Sequence, residues 1–109
     1  MDREIWRVSG KNFDSVILGS TLPFVALFAI QSESPGGPLG RSLNRLHEKY
    51  GDRIRIGVVD ISQSLDLALR QGIQDAPVFA IYDAGFLRER LPAGYPRLDV
   101  LYEAVERYI

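Results

Sequence analysis

The order of apolar and polar residues along the chain predicts five β-strands. Residues 5–8 alternate in part between apolar and polar side chains, and residues 54–61 are rich in β-branched side chains. Residues 24–30 are apolar almost without interruption, which is typical of a strand covered on both faces of its sheet. Residues 78–82 and 86–91 flank the turn Asp83-Ala84-Gly85 and therefore predict an antiparallel hairpin.

Helical stretches are marked by apolar residues that recur at intervals of three or four. Asn12 is the predicted N-cap of the first helix, and Ser62 or Ser64 is that of the third. Gly51 and Gly72 follow the second and third helices, where a C-terminal glycine is expected. The four apolar stripes consist of Phe13, Val16 and Ile17, then Leu39, Leu43, Leu46 and Tyr50, then Leu65, Ala68 and Leu69, and finally Leu98, Leu101, Val105 and Tyr108.

Together these elements predict an α/β fold in the order β-α-β-α-β-α-β-β-α, with a mixed central sheet of about five strands flanked by about four helices. Strand 24–30, the helix after it and strand 54–61 form a βαβ unit, whose two strands should be parallel with a right-handed crossover. The glycine- and proline-rich residues 31–38 are interpreted as a loop leading into that helix. At 109 residues the chain is expected to form a single domain over residues 1–109.

The chain carries 13 basic and 14 acidic residues, for a net charge of −1 with its single histidine neutral. This balance argues against nucleic acid and anionic membranes as partners. The start, Met1-Asp2-Arg3-Glu4, leads into no apolar signal segment, and the longest apolar run, 24–30, is too short to cross a bilayer. We therefore expect a cytoplasmic protein without a membrane partner.

Three segments carry a resemblance to a known family. They are residues 24–38, residues 43–60 with the strand end Val58-Val59-Asp60-Ile61, and residues 72–79, which read Gly-Ile-Gln-Asp-Ala-Pro-Val-Phe. In this order they resemble the central strand with the active-site loop, the second helix with the third strand, and the cis-proline stretch of the thioredoxin family. The resemblance extends from about residue 5 to residue 109. It implies a thioredoxin-like fold and a cis peptide bond before Pro77.

The same resemblance places Glu33-Ser34-Pro35-Gly36 on the family's Cys-Gly-Pro-Cys motif. The proline is kept, but the chain contains no cysteine at all. Ser32 stands where the family has a tryptophan, and Ala26 where it has a buried carboxylate. Thiol–disulfide exchange needs a thiolate nucleophile and a second thiol, so disulfide reductase, isomerase and peroxiredoxin activities are excluded. We therefore expect a redox-inactive protein that is not an enzyme.

Other chemistry has little support in the residues. His47 is the only histidine and is interpreted as a rim or surface residue of the second helix, which leaves the loop serines without a triad partner. Asp60 is interpreted as a local cap for the turn after its strand. Metal sites built on thiolates are excluded with the cysteines. Neither a metal nor a cofactor is predicted.

Substrates of the family lie across a groove between the active-site loop and the loop before the cis-proline, and the resemblance implies the same surface here. Such a groove needs no cysteine, because the backbone N–H and C=O of Ala76 could pair with an extended polypeptide as at a sheet edge. Glu33 and Asp75 would make the groove acidic and favour basic or neutral segments. The predicted protein-binding residues are Ser32, Glu33, Ser34, Pro35, Asp75, Ala76, Pro77 and Gly94.

We therefore expect an adaptor or chaperone that holds a protein partner, a role that cysteine-poor members of the family are known to fill. Two alternatives remain open. The loop and helix start at 33–42 could bind an anion with the help of Arg41, or support an enzyme with non-thiol chemistry. The chain could also be a structural or oligomerisation module, for which an exposed apolar patch is expected.

Overall fold

The structure, a computed structural model, describes residues 5–30, 38–74, 76–92 and 97–109. The strands are β1 Ile5–Val8, β2 Phe24–Ala29, β3 Arg55–Asp60, β4 Val78–Asp83 and β5 Phe86–Pro92. The helices are α1 Pro38–Tyr50, α2 Leu65–Arg70 and α3 Leu98–Glu106. A π-helical turn, Asp14–Leu18, precedes β2, and a 3₁₀ turn, Gly51–Arg53, precedes β3. The predicted order of elements and the mixed sheet are confirmed.

The five strands form one sheet in the order β1-β3-β2-β4-β5. β3 pairs in parallel with both β1 and β2, as the βαβ unit predicts, and β4 pairs antiparallel with β2 and β5. The hairpin turn between β4 and β5 has positive φ at Ala84 (54°) and Gly85 (82°), which is the requirement of a type I′ turn. β5 is an outer strand and carries Arg88, Glu89 and Arg90 at its centre.

Each face of the sheet is covered by helical structure and has its own apolar core. α1 and α3 pack on one face, and the π-helical turn and α2 pack on the other. The buried central strand β2 contributes to both cores in alternation, with Val25, Leu27 and Ala29 in the first and Phe24, Ala26 and Phe28 in the second. This complete burial confirms the interpretation of the uninterrupted apolar run, although the strand ends at Ala29 and leaves Ile30 47% exposed.

Gly57 of β3 provides space for an aromatic ring at the centre of the second core. A Cβ atom on Gly57 would lie 2.9 Å from Cζ of Phe24 and 2.9 Å from the carbonyl oxygen of Trp6. Both distances are shorter than van der Waals contact, so the absence of a side chain at Gly57 lets the ring of Phe24 approach the backbone of β3 closely.

The prediction that Asn12 caps the first helix is wrong. Its Oδ1 accepts the N–H of Ser9 at 2.7 Å, and its Nδ2 donates to the carbonyl of Arg7 at 3.0 Å, so the amide bonds backward to the end of β1. Asn12 contacts the helix only through its backbone carbonyl, which accepts a hydrogen bond from the N–H of Val16 at 2.9 Å. Phe13 and Ile17 are buried as predicted.

The apolar stripe predicted for α2 is confirmed at Ala68 and wrong at Leu65 and Leu69. Leu67 and Ala68 are buried at 1% exposure each, whereas Leu65 and Leu69 are 60% and 56% exposed. With only six residues, α2 completes fewer than two turns, and it packs through the adjacent pair instead of the i, i+4 pair. Neither predicted serine caps α2 with its hydroxyl, although Ser64 occupies the N-cap position.

None of the helices that the structure describes has the length and apolar character that crossing a bilayer requires.

Candidate functional site

One edge of the sheet collects the carboxyl ends of three strands and the start of a fourth. β1, β2 and β3 are parallel, and β4 runs against β2 with Val78 opposite Phe28. Just beyond the strands, the N–H of Ile61 donates to the carbonyl of Ala29 at 3.0 Å. We call this side of the sheet the carboxyl edge and define it by residues 8–12, 29–30, 60–64 and 76–78.

The residues predicted to bind protein fall into two groups. Ser32, Glu33, Ser34, Pro35, Asp75 and Gly94 lie outside the described residues. Ala76 and Pro77 are described, are partly buried, and lie at the carboxyl edge immediately before β4. The peptide bond between them is cis, which confirms the prediction for this bond.

Two contacts are available to a ligand at this part of the carboxyl edge. The backbone N–H and C=O of Ala76 pair with none of the residues that the structure describes. Ile30 follows β2, beside the start of β4, and is 47% exposed. An extended polypeptide uses both kinds of contact, because it bonds through its backbone and places alternate side chains on apolar surface.

The connection from α2 to β4 is held in place by side chains of the hairpin. Nη1 of Arg90 donates to the carbonyls of Gln71 and Gly72 at 2.9 and 3.4 Å, which satisfies acceptors at the end of α2. The Tyr82 hydroxyl donates to Oε1 of Gln71 at 2.8 Å, and burial raises the pKa of Tyr82. Ile73 is buried in the second core. These contacts fix the point from which the chain approaches Ala76.

No protein-family model matches the chain, and a search of the curated proteins finds no match. The carboxyl edge therefore has to be interpreted from its own geometry. Within the described ranges, no group of His, Asp and Glu side chains is placed to hold a metal ion.

The remaining candidate residues lie close to where the sequence predicts them. His47 is partly buried on α1. Asp60 is confirmed as a local cap, since its Oδ1 accepts the N–H and the hydroxyl of Ser62 at 2.9 and 2.6 Å. Of the alternative anion site, Arg41 is described and lies exposed on α1, while residues 33–37 lie outside the described part of the chain.

Two features of the site are missing from the sequence-based prediction. The apolar run predicts Ile30 as part of the buried strand, although its position at the end of that run, beside polar residues, also fits a residue that projects beyond the sheet. No pattern in the sequence indicates the hydrogen bonds of Arg90, because its partners Gln71 and Gly72 lie 19 and 18 positions away and outside the strand of Arg90.

Proposed function

We propose that the protein is a redox-inactive, thioredoxin-like binding domain that acts as an adaptor or chaperone. Its partner is a protein that presents an extended segment, and the binding surface is the groove around Pro77 and the 32–38 loop. The absence of cysteine supports the first part of this proposal, because no residue of the chain can take part in thiol–disulfide exchange. The strand order and the α/β layers are compatible with a thioredoxin-like fold.

The meeting of two chain segments at the carboxyl edge carries the proposal. Because β2 and β4 are antiparallel, the residue that leaves β2, Ile30, and the residues that enter β4, Ala76 and Pro77, come to the same end of a rigid strand pair. This arrangement combines exposed apolar surface with backbone groups that have no partner among the described residues. Both are the contacts that strand-like recognition uses.

The test begins with extended peptides of about ten residues, long enough to form a strand, selected for binding to the intact chain from a random display library. Backbone amide signals of the ¹⁵N-labelled protein are then followed during titration with a selected peptide. We expect the largest shifts at Ile30, Ile61, Ala76 and Val78. Shifts confined to the opposite end of the sheet, around Leu18 and Phe86, would refute the groove.

A matched pair of variants sharpens the test. Ile30→Arg places a long charged side chain at the groove, whereas Val100→Arg does the same on α3 from a position of identical exposure, 47%. We expect Ile30→Arg to weaken peptide binding by about tenfold or more, since one well-placed interface side chain commonly contributes over 1 kcal/mol. Val100→Arg should leave the affinity unchanged. Equal losses in both variants would count against a defined groove.

The redox part of the proposal has its own measurement. The purified chain should reduce insulin no faster than buffer with dithiothreitol alone. Any turnover above that background would overturn the claim of redox inactivity without bearing on peptide binding.

A further inference from the structure

A second concave surface lies at the carboxyl edge, away from Ala76. It is a cleft of about 480 Å³ between the segment that follows β1 and the segment that leads into α2. The parallel pairing of Val8 with Val59 brings these two segments side by side. In open α/β sheets, ligands commonly bind in crevices outside the carboxyl ends of the strands, and the volume is within the usual range for small-molecule sites.

Both walls of the cleft are held by short-range hydrogen bonds. On the β1 side, Oδ1 of Asn12 accepts the N–H of Ser9 at 2.7 Å, and the Ser9 hydroxyl accepts the N–H of Lys11 at 3.2 Å. On the β3 side, Oδ1 of Asp60 accepts both the N–H and the hydroxyl of Ser62. A site whose walls are already ordered loses less conformational entropy when a ligand binds.

Ser64 lines the cleft and supplies an unusual polar group. Ser64 is only 8% exposed, and its hydroxyl makes no hydrogen bond to any residue that the structure describes, but its oxygen keeps contact with solvent, because none of the described side chains carries a fully buried N or O atom without a partner. A serine at an N-cap position ordinarily accepts a backbone N–H, and Ser64 does not. A hydroxyl that reaches solvent and bonds to none of the described residues is open to a hydrogen bond from or to a ligand.

The charges around the cleft favour an anion. Lys11 and Arg70 line it, both are exposed, and neither forms an ion pair with a described residue. Asp66 is the one acidic residue in the lining, so the cations outnumber it by two to one. Guanidinium and ammonium groups each bind carboxylate or phosphate oxygens through charge-assisted hydrogen bonds. Leu65, 60% exposed, adds apolar surface to the same lining.

We propose that this cleft binds a small organic molecule with a carboxylate or phosphate group and an apolar body. Lys11 and Arg70 hold the oxyanion, the Ser64 hydroxyl donates a hydrogen bond to the ligand, and Leu65 contacts the apolar part. This site is distinct from the groove at Pro77 and does not depend on polypeptide binding there.

Titration of the ¹⁵N-labelled chain with phenyl phosphate, benzoate and benzyl alcohol tests the proposal, in about 0.15 M salt so that long-range charge attraction is screened. The first two probes distinguish a phosphate from a carboxylate, and the alcohol lacks the charge. We expect saturable shifts at residues 9–11 and 62–66 with at least one of the two anions. The affinity for benzyl alcohol should be lower than that for the anion by about tenfold or more. Shifts that never saturate, or that centre on Arg41 in α1, would overturn the proposal.

Four variants separate binding in the cleft from general charge attraction. The double variant Lys11→Ala/Arg70→Ala should weaken the anion by about tenfold or more, and Ser64→Ala by several-fold. Asp66→Asn should strengthen it by about two- to threefold, because a like charge is removed. Arg45→Ala removes an exposed cation from α1 and serves as the control, with no change expected.

An equal loss in Arg45→Ala, or no gain in Asp66→Asn together with no loss in the double variant, would refute the site. The Ile30→Arg variant should bind the anion normally. Failure of peptide binding and failure of anion binding are therefore separate results.

Discussion

Helices α2 and α3 lie on opposite faces of the same sheet and use their apolar residues differently. α3 buries Leu101, Ala104 and Val105 on one continuous side, at 0–1% exposure. α2 buries only Leu67 and Ala68 and leaves its two other leucines to solvent. The nine-residue helix α3 has enough turns to present one apolar stripe to the sheet. The six-residue helix α2 is shorter than two turns and contacts the sheet through a single pair of adjacent residues. The α2 face therefore depends on the π-helical turn, with Phe13 and Ile17, for the rest of its cover, and it is also the face that carries the cleft.

The largest effects should come from the anchors of the two helices. Leu101→Ala and Leu67→Ala each remove a fully buried side chain and leave a cavity, so we expect each to lower the free energy of unfolding by about 3 kcal/mol. Urea denaturation followed by circular dichroism measures both. A loss at Leu67 below about 1 kcal/mol would mean that α2 collapses onto the cavity or contributes little to the folded state.

A second test addresses the core under α2 through the backbone. Gly57→Ala places a methyl group 2.9 Å from the Phe24 ring and from the Trp6 carbonyl, so we expect a loss of about 2 kcal/mol from overpacking. Gly10→Ala is the matched control, because a Cβ there meets no atom within 4 Å. A similar loss in both variants would show that close packing at Gly57 is not the cause.

The two faces can also be compared through one buried tyrosine on each. Tyr82 bonds to Gln71 behind α2, and Tyr50 bonds to Glu106 of α3 at 2.7 Å. Removal of either hydroxyl, in Tyr82→Phe or Tyr50→Phe, should cost about 1 kcal/mol at neutral pH. The measurement is the denaturation midpoint of each variant against that of the original chain.

Alkaline pH provides a further readout of the same tyrosines. Burial raises the pKa of both hydroxyls above the ordinary tyrosine value, and for Tyr50 the hydrogen bond to Glu106 adds to the effect. The folded state therefore keeps protons that the unfolded state loses above about pH 10. The contribution of these two tyrosines to stability should be constant below that pH and fall as the pH rises further. In each phenylalanine variant the fall should be shallower, and an unchanged slope in both would contradict the assignment.

The smallest effects belong to the exposed leucines of α2. Leu65→Ser and Leu69→Ser should each change the free energy of unfolding by less than about 0.5 kcal/mol, because neither side chain leaves water on folding to a large extent. Leu67→Ser is the control and should be severely destabilising. A loss above about 1 kcal/mol at either exposed leucine would show that another part of the molecule covers it.

The sheet was predictable from the sequence because each of its strands carries a local signal. Residues 24–30 are apolar almost throughout, and the Asp-Ala-Gly turn separates two runs of strand formers, so both the buried strand and the hairpin follow from short-range chemistry. The face of α2 was not predictable in this way. Four apolar residues within positions 65–69 make both sides of so short a helix apolar, and only packing against the sheet chooses between them.

The candidate site was predictable only in part. Placing Ala76 and Pro77 at a sheet edge required a resemblance over the whole segment, not a periodic pattern. The cleft could not be predicted from the sequence, since Lys11 and Ser64 are brought together by the parallel pairing of two strands about 50 residues apart. Asn12 illustrates the same limit on a smaller scale. Its side-chain amide can form the same kinds of hydrogen bond with the following helix or with the end of the preceding strand, and the local sequence does not decide between them.

The alternating charges at the centre of β5 have a consequence for the protein in crowded solution. A strand from another molecule that added to this side of the sheet would bring its own side chains against Arg88, Glu89 and Arg90. Such charges on an outer strand are a common safeguard against aggregation by sheet extension. The opposite side ends in β1, where Ile5 is 38% exposed and Arg7 is the one charged residue of the strand. Among the described strands, β1 is therefore the outer strand with the weaker protection, and the charges of β5 disfavour sheet extension through both outer strands at once.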